Sequence, residues 1–352
     1  MGLQENLLVH GDCLAAIKHL HKEIEGQIAL IYIDPPFFSG TDYTLKTKGK
    51  RDRRRAPTLG ESLAYSDKWT GGLEEYLAFM EDRLRAMYSL LKSCGCIWVH
   101  LDWHVSHYIK TILDQIFGYS NFVNEIIWRR TNSPKAQSKG FGSQHDSILL
   151  YAKDIEGFKA KPVYREHDAK SRKPYRYEDE RGRFRLIEIE AQGIQRSADR
   201  KQFEWRGRTA PYLYKKETLD QWWEEGIIYT SKNNRYSKKQ YLSDTSGVLV
   251  SDLWMDISPI QGASREYLGF ITQKPVALLE RIIAATTEKG DLVADFFAGS
   301  GTTGVAAENL SRRWILCDSS EVSIELCKKR LGKYLEGKKP RYSFYSLQEY
   351  MP

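Results

Sequence analysis

The chain holds 352 residues, 53 of them Lys or Arg against 46 Asp or Glu, for a formal net charge of +7; that length suits one large α/β domain with an insertion, or two domains, better than a single small core. No stretch nears the ~18 consecutive apolar residues of a membrane-spanning helix, and the opening MGLQENLLVHGDCL has neither a basic leader nor an apolar signal core, so a cytoplasmic protein with no membrane partner is expected. Cys13, Cys94, Cys96, Cys317 and Cys327 are odd in number and lack the paired spacing of a zinc site, which leaves reduced cysteines that serve packing and no metal.

Residues 6–10 (NLLVH) read as a strand that runs into Gly11-Asp12 and the helix-like CLAAIKHLHKEI. Residues 28–33 (IALIYI) are fully apolar and stop at Asp34-Pro35-Pro36-Phe37. A helix before such a run and prolines after it suit a buried parallel strand, with Asp34 at the carboxyl edge where open α/β sheets place ligands. Residues 39–72 are polar and contain glycine, and read as a mobile loop with SDKW (66–69) near its end. Inside it, segment 46–55 carries seven basic residues and one acidic one. These are Lys46, Lys48, Lys50, Arg51, Arg53, Arg54 and Arg55, a set suited to gripping the phosphates of a polyanion.

Next, EEYLAFMEDRLRAMYSLLK has apolar residues at helical spacing, CIWVHLD (96–102) is strand-like, a helix is expected over about 104–117, and FVNEIIWRR and SILLYAK (147–153) follow. From 154 to 255 the periodicity degrades and Tyr, Trp, Arg and Lys become frequent, as in an inserted module. Residues 151–250 hold 22 Lys/Arg against 16 Asp/Glu, so this stretch and the basic run each carry +6 and the remainder sums to −5. Trp205, Trp222 and Trp223 belong most simply to the module's own core, and no base-reading residue is assigned there. The α/β pattern resumes with PVALLERIIAATT (275–287), DLVADFFAG (291–299), a glycine turn, TTGVAAENL, RWILCDSS (313–320) and a final helix to about 336. Such alternation predicts an α/β fold with a mostly parallel, doubly wound sheet.

The turn Asp295-Phe296-Phe297-Ala298-Gly299-Ser300-Gly301-Thr302-Thr303-Gly304 closes a strand and opens a helix. Glycine lets backbone approach a ligand, and a helix start offers free N–H groups. Asp318 ends the next strand, where a carboxylate can accept from both ribose hydroxyls of an adenosine-containing cofactor. Gly299-x-Gly301-x-x-Gly304 alone matches a NAD fingerprint as well, so this turn points to a nucleoside cofactor without choosing one.

At Asp34-Pro35-Pro36-Phe37 the prolines fix φ and remove two donors, leaving a rigid platform of acceptors. An exocyclic amine is a poor nucleophile because its lone pair is delocalised into the base. The Asp34 carboxylate and the Pro35 carbonyl could hold both its N–H groups, draw the nitrogen toward tetrahedral geometry and stabilise charge developing on it during direct in-line attack. Phe37 would stack on a base flipped out of the duplex. The plainer alternative is a strand-ending turn capped by Asp34.

These residues resemble the β-class, circularly permuted amino-methyltransferases of DNA, in which the catalytic motif comes first, the target-recognition region lies in the middle and the cofactor motif is last. IALIYIDPPFFSG resembles the catalytic motif, DFFAGSGTTG the FxGxG cofactor motif, GFITQKPVALLERII (269–283) the TQKP segment, and residues 124–153 the stretch lining the base pocket and DNA cleft. The resemblance implies a Rossmann-like methyltransferase fold with a catalytic half at 1–153, a target-recognition module at 154–255 and a cofactor half at 256–352. It also implies S-adenosyl-L-methionine as cofactor, held by Asp12, Thr272, Lys274, Asp295, Phe297, Gly299, Gly301, Thr302 and Asp318.

The implied substrate is double-stranded DNA, the implied partners are a second copy of the chain and a cognate restriction endonuclease, and the setting is the inside of a prokaryote or phage-infected cell. Asp-Pro-Pro-Phe, rather than a Ser-Pro-Pro form, favours N6 of adenine over N4 of cytosine; Phe37 departs from the commoner Tyr and loses a hydroxyl. Amino-methylation of RNA or of protein glutamine, and a DNA-binding module with a vestigial pocket, are the competing readings.

Overall fold

The computed structural model describes residues 5–47, 60–133, 140–191, 202–270, 272–334 and 342–347. They form two compact units, one from residues 1–163 with 251–352 and one from 164–250. In chain order the first unit begins with β1 (Asn6–His10), α1 (Cys13–Ile24), β2 (Ile28–Ile33), β3 (Asp42–Thr47), β4 (Gly60–Ser66), α2 (Gly72–Leu90), β5 (Leu91–Leu101), α3 (Ser106–Phe117), β6 (Phe122–Arg129) and β7 (His145–Ala152). The second holds β8 (Tyr164–Arg165), α4 (Ala169–Arg172), β9 (Tyr177–Asp179), β10 (Gly182–Glu188), β11 (Phe203–Trp205), β12 (Arg208–Ala210), α5 (Lys216–Glu224), β13 (Ile228–Thr230), β14 (Tyr236–Tyr241) and β15 (Val248–Leu249). The first then resumes with β16 (Leu253–Trp254), α6 (Val276–Thr286), β17 (Leu292–Asp295), α7 (Thr302–Asn309), β18 (Arg313–Asp318), α8 (Glu321–Tyr334) and β19 (Tyr342–Ser346).

The first unit is built on a sheet of order β16-β6-β7-β5-β2-β17-β18-β1-β19, parallel except that β7 runs against both β5 and β6. All six residues of β2 are buried, as expected of a strand covered on both faces. Ile31 and Ile33 join the core cluster that includes Ile17 of α1, Met80 of α2 and Ile109 of α3. The period of two then turns Tyr32 and Asp34 to the opposite face. In neighbouring β5, Val99 and Leu101 join the same cluster, so His100 shares the face of Tyr32. The β2–β17 pairing (Val293↔Leu30, Ala294↔Ile31) joins the two halves of the unit, and β1 lies beside β18 with His10 opposite Asp318. Both carboxyl edges therefore open on one side of the sheet.

Two expectations change and one strand is added. Residues 39–72 are not simply a loop, since β3 and β4 pair antiparallel with Tyr43 opposite Tyr65 and those rings stack at 4.8 Å; residues 48–59 lie outside the described residues. The compact second unit is shorter than 154–255. Lys161 is tied to the first unit by its N–H to the Ala285 carbonyl (2.7 Å) and its Nζ to the Thr287 carbonyl, and Trp254 pairs with Trp128 in the main sheet. Finally, YSFYS adds β19 alongside β1, a strand too short and too polar in its alternation to stand out in the sequence. The second unit has an antiparallel sheet of order β13-β14-β10-β9. Trp205 and Trp222 help fill its apolar clusters, whereas Trp223 is partly exposed beneath the Arg206 guanidinium. Among the described residues no helix is long and apolar enough to cross a membrane.

Candidate catalytic and cofactor site

One pocket lies at the carboxyl edges of β2, β17 and β18, lined by Asp12, Tyr32, Asp34, Pro36, Tyr65, Phe270, Thr272, Lys274, Asp295, Phe297, Gly299, Thr302 and Asp318 among others. It therefore gathers residues from the Asp-Pro-Pro-Phe motif, the TQKP segment and the glycine turn, which are far apart in the chain.

Asp34 leaves the end of β2 with its two oxygens in different states. Oδ2 is ion-paired with Lys274, whose side chain is 10% exposed. Oδ1 is buried, and no donor among the described residues reaches it. A buried carboxylate oxygen without a partner costs free energy unless a ligand supplies the hydrogen bond. Lys274, expected at the cofactor, lines the pocket with Thr272, and its ammonium also holds Asp34.

The turn after Asp34 is set by a group that sequence reasoning passed over. Asp67, fully buried, accepts from the N–H groups of Phe37 (3.2 Å), Phe38 (3.1 Å) and Ser39 (2.7 Å), from the Ser39 hydroxyl and from the Trp69 indole. Phe38 stands at φ 58°, a left-handed conformation unfavourable for a side chain with a Cβ. Three successive N–H groups converging on one carboxylate form an anion nest that holds it there. Tyr76 adds a hydrogen bond to the Pro36 carbonyl at 2.8 Å. The only hint in the sequence is an Asp two residues before a Trp at the end of a polar stretch. Phe37 lies flat against His100, with centroids 6.1 Å apart.

Across the pocket the glycine turn has more structural work than expected. Gly301, at φ 72°, starts α7, and a Cβ there would lie 2.9 Å from Cys327 Sγ; one on Gly304 would lie 2.7 Å from Leu316. These two glycines thus seat α7 against α8 and β18. Gly299 donates its N–H to Asp318 Oδ2 at 2.8 Å, and the Ser320 N–H binds Oδ1, which aims the carboxylate. The Thr302 hydroxyl is buried between Arg330 Nη1 (2.7 Å) and the Lys274 carbonyl, so it fastens the turn. Asp12 caps α1 through the Leu14 and Ala15 N–H groups and pairs with Arg83, whose guanidinium lies over the Phe79 ring. Of the basic run, Lys46 lies in β3, whereas Lys48, Lys50, Arg51, Arg53, Arg54 and Arg55 fall outside the described residues.

The two carboxylates of this half are electrostatically unusual. Burial pushes Asp295 up to about 7, against the pull of its bonds from Thr303 and the Phe297 N–H, with the charges of Asp34 and Asp318 adding to the rise. Asp318 is pushed up to about 6 by its low-dielectric surroundings, less the stabilisation from the Ser320 and Gly299 N–H groups. Asp295 is 2% exposed with both oxygens engaged locally, so it braces the turn at the wall of the pocket. Because its pKa is raised on folding, the native state holds an extra proton between about pH 4 and pH 7, and stability falls as pH rises through that window. Asp295→Asn removes this titration. Its melting temperature relative to wild type should climb by several degrees from pH 5 to pH 8; a difference that stays constant with pH would refute the buried ionisation.

A family model described as DNA methylase matches residues 28–329. The Type II methyltransferase M.EcaI of Enterobacter cloacae is 31% identical over 314 residues, covering 88% of this chain and 66% of that protein. The Type III restriction-modification enzyme StyLTI Mod subunit of Salmonella typhimurium is 27% identical over 340 residues, covering 89% of this chain and 52% of its own length. The chain thus spans less than two thirds of these curated relatives. Among solved structures, the PvuII DNA methyltransferase (cytosine-N4-specific) superposes with a TM-score of 0.50 at 14% identity, covering 97% of this chain and 95% of that one, a likeness of fold.

Proposed function

Since the chain belongs to the DNA methylase family, whose model spans residues 28–329, we propose that it is a site-specific DNA methyltransferase that transfers a methyl group from S-adenosyl-L-methionine to N6 of adenine in a base flipped from duplex DNA. The observation that carries this reading is the buried, unpartnered Asp34 Oδ1, beside the rigid prolines and the Phe37 ring. It is an acceptor waiting for an N–H donor at the edge of the sheet where the pocket opens.

The residues present fit the cofactor. Asp12, Asp34 and Asp318 give the pocket an acidic lining for a cationic ligand, Asp318 is aimed by two backbone N–H groups to accept from hydroxyls, and Phe270 and Phe297 supply apolar walls. When bound, the cofactor supplies an electrophilic methyl group on a sulfonium. Asp34 Oδ1 and the Pro35 carbonyl accept from the two amine hydrogens, which localises the nitrogen lone pair and stabilises positive charge growing on it. Phe37 stacks on the flipped base, the Asp67 nest keeps its backbone in place, and Lys274 keeps the Asp34 carboxylate oriented. The basic run 46–55 grips phosphates, and the 164–250 unit reads the target sequence.

The Salmonella relative is by name the Mod subunit of a restriction-modification enzyme; a restriction endonuclease of matching specificity, and a second copy of this chain, are the protein partners this reading brings with it. The test is to express the chain in a host lacking DNA methylation, identify the modified nucleoside by mass spectrometry of digested genomic DNA, and sequence the intact DNA for the positions of modified bases. N6-methyladenine at one short sequence motif is the expected product. N4-methylcytosine would overturn the choice of base, and unmodified DNA the activity.

A further inference from the structure

Behind Asp34 lies a line of buried polar groups that the chemistry above leaves unused. The Tyr32 hydroxyl is 3.0 Å from His100 Nδ1, and His100 Nε2 is 3.1 Å from Asp146 Oδ2. All three side chains are buried, His100 completely. Phe37 stacks on the imidazole and Trp128 meets it edge-on at 5.6 Å. The charges facing Asp146 are Arg130, with Nη1 3.3 Å from Oδ1, and Lys274, which itself holds Asp34.

The donors fix the polarity of this line. Burial alone would push the Asp146 carboxyl up, but the His100 bond and the charges of His100, Lys274 and Arg130 outweigh it and hold the group below the ordinary carboxylate range. An ionised carboxylate only accepts. His100 Nε2 therefore donates to Asp146, and in the tautomer that bears only this hydrogen Nδ1 is the acceptor to which the Tyr32 hydroxyl donates. Tyr32 lines the same pocket as Asp34, two residues away on the same strand face. Burial, and then the charges of Asp34, Asp295 and Asp146, hold the phenol far above its ordinary range, so it gives up its proton only as it gains another.

Building on the amino-methylation reading, we propose that Tyr32, His100 and Asp146 form a relay that removes the proton the target amine must lose. As the nitrogen lone pair forms the new N–C bond, the methyl–sulfur bond breaks with its electron pair left on sulfur. One N–H bond then breaks with its pair left on nitrogen. That proton passes to the Tyr32 oxygen, the Tyr32 O–H proton passes to His100 Nδ1, and the imidazolium so formed rests against the Asp146 carboxylate until, with the product gone, the proton returns through Tyr32 to water in the pocket. Asp34 stays ion-paired with Lys274, and the N–H that rests on the Pro35 carbonyl, a group that cannot keep a proton, is the one that turns to the Tyr32 oxygen.

His100→Asn keeps an acceptor near the Nδ1 position but cannot take up a proton. With genomic DNA from an unmethylated host and S-adenosyl-L-methionine, its single-turnover rate at neutral pH should fall about 10²-fold. The Tyr32→Phe rate should fall comparably. Independently of turnover, ¹⁵N NMR of the free protein at about pH 8 should show Nε2 protonated and Nδ1 bare, with the Nδ1 resonance moving in Tyr32→Phe. Variant rates within about threefold of wild type, or a protonated Nδ1, would overturn the relay; should His100→Asn fail to fold, Tyr32→Phe decides alone. A wild-type protein that methylates no DNA overturns the proposed function instead, and the NMR still decides the polarity of the line.

Discussion

Genomic DNA from an unmethylated host expressing Asp34→Asn should remain unmodified, with the single-turnover rate at least ~10³-fold below wild type, the scale expected when a preorganised acceptor at the reacting nitrogen is lost. The choice of variant matters because Asp34 is the ion partner of a nearly buried lysine. Asp34→Ala would leave Lys274 uncompensated, a change that costs about 3 kcal/mol where one member of a buried pair is removed, and its inactivity could then reflect unfolding. Asp34→Asn retains the shape but still leaves Lys274 without its counter-charge, so it is paired with Asp34→Ala combined with Lys274→Met, which removes both charges. Both should bind S-adenosyl-L-methionine within a fewfold of wild type by titration calorimetry and still fail to methylate. Methylation that persists in either would remove Asp34 from the chemistry.

Asp67→Ala should be nearly as damaging, although Asp67 reaches the pocket only through other residues. It strands three backbone N–H groups at Phe37, Phe38 and Ser39, each left unsatisfied at a cost of about 1–3 kcal/mol where water cannot reach it. Phe38 would lose the interaction that holds it at positive φ, and the backbone carrying Phe37 would relax. The maximal rate should fall about 10²-fold, as for a misplaced positioning group, with affinity for S-adenosyl-L-methionine little changed. A melting curve separates this from global loss of fold. If the rate is unaffected in a folded Asp67→Ala protein, the nest does not position the catalytic turn.

Much of this arrangement was legible because it rests on short-range rules. A six-residue apolar run stopped by two prolines marks β2 and puts Asp34 at its edge, and glycines between a strand and a helix mark the β17–α7 turn. What stayed hidden depends on which distant residues meet. Nothing local to Ser66-Asp67-Lys68-Trp69 says that this carboxylate folds back on residues 37–39. Nothing in the TQKP segment says that the lysine reaches Asp34. Thr302 and Gly301 also meet Arg330 and Cys327, contacts that no local pattern announces, because a helix seated this tightly needs small residues and satisfied hydroxyls. His100 and Asp146 sit in apolar strands where an isolated polar residue has no visible partner until β5 and β7 pair.

The β2–β17 seam has a bearing on how the polypeptide reaches this state. One edge of IALIYI finds β5 within about 70 residues, but the other finds Leu292–Asp295 only about 260 residues further along, and at a synthesis rate of roughly 5–20 residues per second that edge stays open for tens of seconds. During that interval a ribosome-bound chain carries an unpaired, charge-free strand of the kind that recruits other chains. Its yield in the cell should therefore depend on chaperone supply and on temperature more steeply than the stability of the finished molecule would suggest.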